Sequence, residues 1–265
     1  MRMMSIASGS SGNAIYVGTD TTHLLVDAGI SGKRIEEGLN RAGLGGSDLD
    51  GILVTHEHAD HIAGLGVMQR RYKLPVYATQ GTIDALKREK SIGNVDWEAF
   101  VPVEKDTSFS IRDLTISPMR ISHDAADPVA YRFRYGDLKT AVVTDLGEYD
   151  DYTVSCLGGL SAVFLEANHD IRMLQLGRYP YPLKQRILGK RGHLSNEASG
   201  RLLTALLNNK MKHVFLSHLS QENNLPELAY EAVRMEVEMS DTEWRGDDFP
   251  IDIARRDCPS ECITI

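Results

Sequence analysis

Residues 56–61, within Thr55-His56-Glu57-His58-Ala59-Asp60-His61-Ile62, hold three imidazoles and a carboxylate in the pattern His-x-His-x-Asp-His. Neutral imidazoles and carboxylates are good donors for zinc, manganese or iron. In a turn after a strand, His56 and His58 can converge on one ion. Asp60 and His61, at the start of the following helix, can point at a second. Three more candidates share one setting: Ser122-His123, Thr144-Asp145 and Ser217-His218 each close an apolar run with a hydroxyl residue and then a ligand, as Thr55-His56 does. An adventitious surface cluster would not be followed, in order, by three further donors at strand ends. Two divalent ions about 3.5–4 Å apart can share and acidify a water and clamp both the attacking and leaving oxygens, which is hydrolytic chemistry.

Positioning such donors takes strands whose carboxyl ends share an edge, where open α/β sheets place their chemistry. Residues 14–17 and 23–26 read as an opening hairpin, 32–41 as a helix, 51–54 as a short buried strand and 62–72 as a helix with one apolar face. Thr79 suits the cap of a helix reaching about Lys90. Residues 109–111, 114–121, 129–134 and 140–143 alternate like a meander, and 161–165 and 213–216 are buried strands. Residues 196–208 and 226–239 read as helices, the second opened by Pro226. The alternation of strands and helices predicts an α/β layered fold.

The five segments together resemble the metallo-β-lactamase superfamily, an αββα sandwich, over nearly the whole chain. The resemblance implies one 1–265 domain, with His56, His58 and His123 on one ion, Asp60, His61 and His218 on a second, and Asp145 bridging both. It places Asp27 as a carboxylate orienting a ligand imidazole, although a strand-end aspartate ahead of Gly29 also reads as a plain turn. Only 73 positions separate Asp145 from His218, too few for an inserted β-CASP cap.

Leu165-Glu166-Ala167-Asn168-His169-Asp170 and Gly192-His193-Leu194-Ser195-Asn196 resemble elements of the nuclease branches, RNase Z among them. There a glutamate and a histidine pair beside the metals, and the histidine protonates the leaving oxygen of a phosphodiester. An alkoxide leaving group needs such an acid, and a carboxylate can orient and hold a protonated imidazole. Asp60, Glu166 and His193 are therefore the expected catalytic residues. His169 reads equally as structural or as a substrate contact, and Ser195 and Asn196 at a helix start offer donors to an anion. Between residues 171 and 201 seven cations (Arg172, Arg178, Lys184, Arg186, Lys190, Arg191, Arg201) face a single acidic residue, Glu197, a footprint suited to phosphates. Of these, Lys184, Arg186, Lys190 and Arg191 are the expected substrate contacts. Tyr179 and Tyr181 are placed to stack on unpaired bases or to pack on the core.

With Ser8-Gly9-Ser10-Ser11-Gly12-Asn13 and Ser122-His123-Asp124-Ala125-Ala126-Asp127-Pro128, the chain taken whole resembles the bacterial YycJ/WalJ group. That group implies 5′→3′ exonuclease action on DNA and a link to cell-wall two-component signalling. Residues 10–13 read as a tight glycine turn or as a substrate contact, the turn carrying the larger share. The competing reading is a hydrolase of lactams, lactones or thioesters, which needs neither the cationic stretch nor the Glu166–His193 pair.

Composition sets the remaining bounds. The chain has 265 residues, 42% of them hydrophobic, and a net charge of −8. That excludes a disordered chain and argues against a nonspecific nucleic-acid coat, while bound cations could still supply local positive charge. Three cysteines, Cys156, Cys258 and Cys262, fit a reducing compartment better than a disulfide scaffold. No signal peptide or membrane span is apparent, so a cytoplasmic enzyme without membrane insertion is expected.

Overall fold

A computed structural model describes residues 1–265. Its contacts fall into two compact units: residues 1–120, 125–137 and 255–265, and residues 121–124 and 138–254.

The first unit carries β1 (Arg2–Ala7), β2 (Ala14–Gly18), β3 (His23–Val26), β4 (Gly51–Leu53), β5 (Val76–Thr79) and β6 (Phe100–Val103). They lie side by side in chain order, with Ile263–Thr264 added outside β1. Pairing is antiparallel from β1 to β3 and parallel from β3 to β6. Leu24, Leu25, Val26, Ile52 and Leu53 are wholly buried, as expected of strands covered on both faces. β6 was not expected, because Pro102 weakens the pattern; it is the edge strand, where a missing N–H costs no ladder bond. A meander of β7 (Phe109–Ile111), β8 (Leu114–Arg120) and β9 (Val129–Tyr135) completes the strands of this unit.

Helix α1 (Gly32–Arg41) has the expected bounds; Ser31 caps it, and Ile35 and Leu39, one turn apart, are buried. The helix expected over 62–72 is instead two pieces, α2 (Ala59–Ile62) and α3 (Leu65–Tyr72). At the break Gly64 N–H donates to Ala28 O at 2.7 Å, so the loop after β3 claims the donor that would have continued the helix. Thr79 caps α4 (Gln80–Leu86) as expected, but the helix stops short of Lys90. Residues 87–91 are polar and exposed, and nothing apolar holds them to the sheet.

The second unit is built on four parallel strands, β10 (Leu138–Val143), β11 (Ala162–Glu166), β12 (His213–Ser217) and β13 (Ile251–Ile253). Phe164 and Phe215 sit in register and stack at 4.4 Å. Around the strands run α5 (Asp151–Cys156), α6 (Ile171–Leu176), α7 (Tyr181–Leu188), α8 (Asn196–Leu206) and α9 (Pro226–Glu238). The two long helices lie where the periodicity puts them. The short α6 buries only Leu174 and α7 buries nothing, so neither leaves an amphipathic trace. No helix is long and apolar enough to cross a membrane.

Candidate metal centre

In the first unit the donors follow β4 and open α2. Asp27, at the end of β3, is buried and accepts three hydrogen bonds: Thr55 N–H at 2.8 Å, Thr55 Oγ1–H at 2.8 Å and His61 Nδ1–H at 2.7 Å. The hydroxyl proton of Thr55 is thus spent on Asp27, so His56 Nδ1–H must donate to Thr55 Oγ1, 3.0 Å away. Both imidazoles then carry their proton on Nδ1 and present the lone pair of Nε2, the tautomer a metal ligand needs. Asn13 Nδ2–H lies 3.2 Å from His61 Nε2, consistent with that nitrogen being an acceptor. Asp60 Oδ2 is 3.5 Å from the same nitrogen, and the His56 ring lies 4.5 Å from His58 and 4.2 Å from His61, centroid to centroid.

Backbone bonds fix this loop. Asn13 N–H and Ala28 N–H donate to Asp60 O and His61 O, each at 2.8 Å. Gly29 packs so closely that a Cβ there would lie 1.7 Å from Asp60 O. Residues 10–13 form a glycine turn in which Gly12 N–H donates to Gly9 O at 3.0 Å, and the buried Asn13 side chain braces it.

In the second unit, Asp145, Glu166 and His218 emerge from the carboxyl ends of β10, β11 and β12. All three are buried, and His123 beside them is 2% exposed. Asp145 Oδ1 lies 3.6 Å from His123 Nε2 and 3.6 Å from His218 Nε2. Ligands sharing a tetrahedral ion with bonds near 2.0 Å stand about 3.3 Å apart, so each spacing suits a cation shared by Asp145 and that imidazole. His123 Nδ1–H donates to Gly192 O at 3.2 Å, which again turns Nε2 toward the carboxylate.

Glu166 organises the unit. Its Oε1 accepts from His193 Nδ1–H and from His218 Nδ1–H, both at 2.8 Å. Its Oε2 accepts from Leu146 N–H at 2.6 Å and Leu194 N–H at 3.3 Å. Burial pushes the carboxyl up, but the facing His193 charge and the bonds from His193 and His218 outweigh it, holding its pKa below the ordinary glutamate range. His193, whose side chain is 18% exposed, is the one member of the cluster open to solvent. Its Nδ1 is also 3.8 Å from Asp145 Oδ1.

Most of the other expected contacts make hydrogen bonds or ion pairs within the protein. Ser195 Oγ caps α8 by accepting Ala198 N–H, and Asn196 forms a reciprocal amide pair with Asn224 at 3.0 and 2.8 Å. Those side chains are engaged at the α8 junction. Lys184 Nζ donates to Gln175 O and Gly177 O, Arg186 pairs with Asp124, Lys190 with Glu148, and Arg191 donates to His123 O. His169 is 1% exposed, neither ring nitrogen has a hydrogen-bond partner, and burial pushes its pKa down to about 4. Three roles escaped the sequence reading: that of Thr55, which relays Asp27 to His56; that of Asn13 against His61; and that of Asn168, whose amide donates to His218 O at 2.9 Å. Each acts through a contact that no residue spacing advertises.

Comparison with known proteins agrees with this architecture. The β-lactamase superfamily domain model matches residues 22–219. The exodeoxyribonuclease YycJ of Bacillus anthracis is 43% identical over 239 residues, 88% of each chain. The exodeoxyribonuclease WalJ of Streptococcus pneumoniae serotype 2 is 42% identical, covering 85% of this chain and 84% of its own. Among solved structures, the metallo-β-lactamase fold protein YhfI from Bacillus subtilis superposes with a TM-score of 0.71 at 16% identity, over 98% of both chains. The short form of human tRNase Z gives 0.62 at 15% identity, over 83% of this chain and 93% of its own. The fold is the α/β sandwich of the metallo-β-lactamases. The chain belongs to the β-lactamase superfamily and, within it, to the YycJ/WalJ group of metal-dependent hydrolases.

Proposed function

We propose that the chain is a DNA 5′→3′ exonuclease that hydrolyses phosphodiester bonds with two divalent cations, zinc, manganese or iron. His56, His58 and His123 would hold one ion, Asp60, His61 and His218 the other, and Asp145 both. The donor set fits: His56, His61, His123 and His218 each have Nδ1 committed to an oxygen, leaving Nε2 to coordinate. Bound there, the ions supply an activated water and neutralise charge on the phosphate.

The observation that carries the reading is the sharing of one Glu166 oxygen by His193 and His218. Glu166 accepts the His193 Nδ1–H and so fixes the ring, and His193 would act as the general acid that protonates a departing sugar oxygen. Hydrolysis of a thioester, whose thiolate departs without protonation, needs no such held acid. The relatives' designation as exodeoxyribonucleases supports DNA as the polymer.

The test is metal-defined protein on end-labelled single- and double-stranded DNA and RNA, with nitrocefin and a lactone in parallel. The expected result is progressive shortening of DNA from its 5′ end. His193→Ala should retain both metals and lose about 10²–10⁴-fold in cleavage rate. Nuclease silence with brisk lactone turnover would overturn the assignment, and normal turnover in His193→Ala would remove the acid.

A further inference from the structure

Residues 171–191 carry six cations and no carboxylate, in a chain whose net charge is −8. In the structure this stretch is α6, a Gly177–Pro180 link, and α7. Arg172 and Arg178 are exposed and have no ion-pair partner; the carbonyls bound by Lys184 and Arg191 leave those charges unneutralised. Positive charge concentrated on one arm of an acidic protein draws a polyanion to that arm and repels it elsewhere.

The apolar side of the same arm is equally uncovered. Leu176 is 88% and Tyr181 73% exposed, and α7 buries none of its eight residues. A helix that buries nothing is held by other means. Here Lys184 Nζ ties it to Gln175 O and Gly177 O at 2.7 Å each, and His193 N–H donates to Ile187 O at 3.0 Å. That last bond anchors the arm's end to the backbone of His193. At Gly192, between them, a Cβ would lie 2.1 Å from Ile187 O, so the chain closes tightly from the arm onto the acid.

We propose that residues 171–191 form a rail for single-stranded nucleic acid, its phosphates on Arg172 and Arg178 and an unpaired base stacked on Tyr181, feeding the strand to His193. The inference rests on the phosphodiesterase reading above and adds the strand form and the surface that holds it. Exposed cations interleaved with an aromatic ring suit a strand whose bases are free to stack; a duplex would offer phosphates but no open base face. A lipid surface fits less well, because a helix of eight residues, about 12 Å long, presents little apolar length to a bilayer.

The experiment compares wild type, an Arg172→Ala/Arg178→Ala double variant and Tyr181→Ala, all metal-loaded. Each is assayed on a 20-nucleotide single strand, on its duplex and on bis(p-nitrophenyl) phosphate, with strand binding followed by fluorescence anisotropy. The double variant should raise the single-strand KM about tenfold or more and flatten the slope of log affinity against log salt by about 1.4, two phosphates at roughly 0.7 each. Tyr181→Ala should weaken the single strand about fivefold or more and leave the duplex unchanged. Turnover of the small diester should not move in either. If wild type cleaves the strand and diester but the variants match it in KM and salt slope, the rail is overturned. If wild type cleaves neither, the phosphodiesterase reading falls, and unchanged strand affinity in the double variant would separately overturn the rail. Retention of wild type alone on phosphatidylserine vesicles, with strand affinity unaltered between proteins, would replace the rail with a membrane surface.

Discussion

Replacing Glu166 with glutamine removes one charge and converts one of two accepting oxygens into a donor. The carboxylate is fully buried and takes four hydrogen bonds, two imidazole N–H groups on one oxygen and two backbone N–H groups on the other. A glutamine can satisfy only one pair. If its oxygen faces Leu146 and Leu194, its NH2 meets the Nδ1 atoms of His193 and His218, which must then surrender their protons. The His218 proton moves to Nε2, and that ring loses the lone pair it would offer a cation. If the amide turns the other way, an NH2 group opposes two backbone donors, one of them 2.6 Å away in the wild type. Either arrangement forfeits two charge-assisted bonds of about 1.5–3 kcal/mol each, so the loss of stability should be about 3–5 kcal/mol. For a chain of this size that is roughly 10 °C in Tm. Turnover of a phosphodiester should fall at least about 10²-fold and bound metal should fall with it, because the same residue faces both rings. Chemical denaturation, elemental analysis of dialysed protein and single-turnover cleavage read the three effects. A Glu166→Gln protein within about 0.5 kcal/mol of wild type, with full metal content and full rate, would refute the reasoning.

Asp145→Ala should leave the fold intact and lower metal content, since Asp145 Oδ1 stands 3.6 Å from two imidazole nitrogens; unchanged occupancy by elemental analysis would remove its proposed bridging role. Gly29→Ala should cost about 3 kcal/mol and weaken metal binding, because its methyl would lie 1.7 Å from Asp60 O and the obstacle is backbone; a Tm equal to wild type would show that the two loops can separate. His169 is held neutral, its pKa lowered from 6.5 to about 4, while the unfolded chain takes up a proton near 6.5. Unfolding therefore gains protons as pH falls, and about 3 kcal/mol of stability should be lost between pH 6.5 and 4, with no effect above that window. Urea denaturation of metal-stripped wild type and His169→Gln should diverge in slope across that window; parallel curves would mean that His169 is protonated in the folded protein.

Four of the proposed donors, His56, His123, Asp145 and His218, were legible in the sequence because each follows a strand end, and a strand end leaves a trace: an apolar run, a hydroxyl, then His or Asp. The Glu166–His193 pair was legible only through likeness to nuclease motifs, since 27 residues and two short helices separate its members. What stayed hidden depends on features that side-chain pattern does not encode. β6 hides behind an edge proline. The break between α2 and α3 follows from Ala28 O capturing the Gly64 N–H, a contact set by the loop after β3 and not by helix propensity. The Ser195 cap and the Asn196–Asn224 amide pair stayed hidden because residue type alone does not reveal which partner a polar side chain takes.

Three of the site residues, Asp27, Asp145 and His218, have φ near +60°, a conformation that non-glycine residues seldom adopt and that costs about 1–3 kcal/mol. Asp27 and His218 stand immediately after a buried strand, and Asp145 one residue further on. A residue continuing the strand would keep the extended alternation and send its side chain to one face of the sheet. The left-handed turn instead lets the chain leave the strand while the side chain is held at its carboxyl end. The surroundings over-determine these conformations: Asp27 N–H donates to Leu53 O at 2.8 Å while its carboxylate takes three donors, and Asn168 holds His218 O while Glu166 holds its ring. Glycine would relieve the strain at any of the three but could supply no ligand and no hydrogen bond. The strain is thus localised at positions where the chain must turn sharply and still present a functional side chain, which ties the energetic cost of the fold to the chemistry of the site.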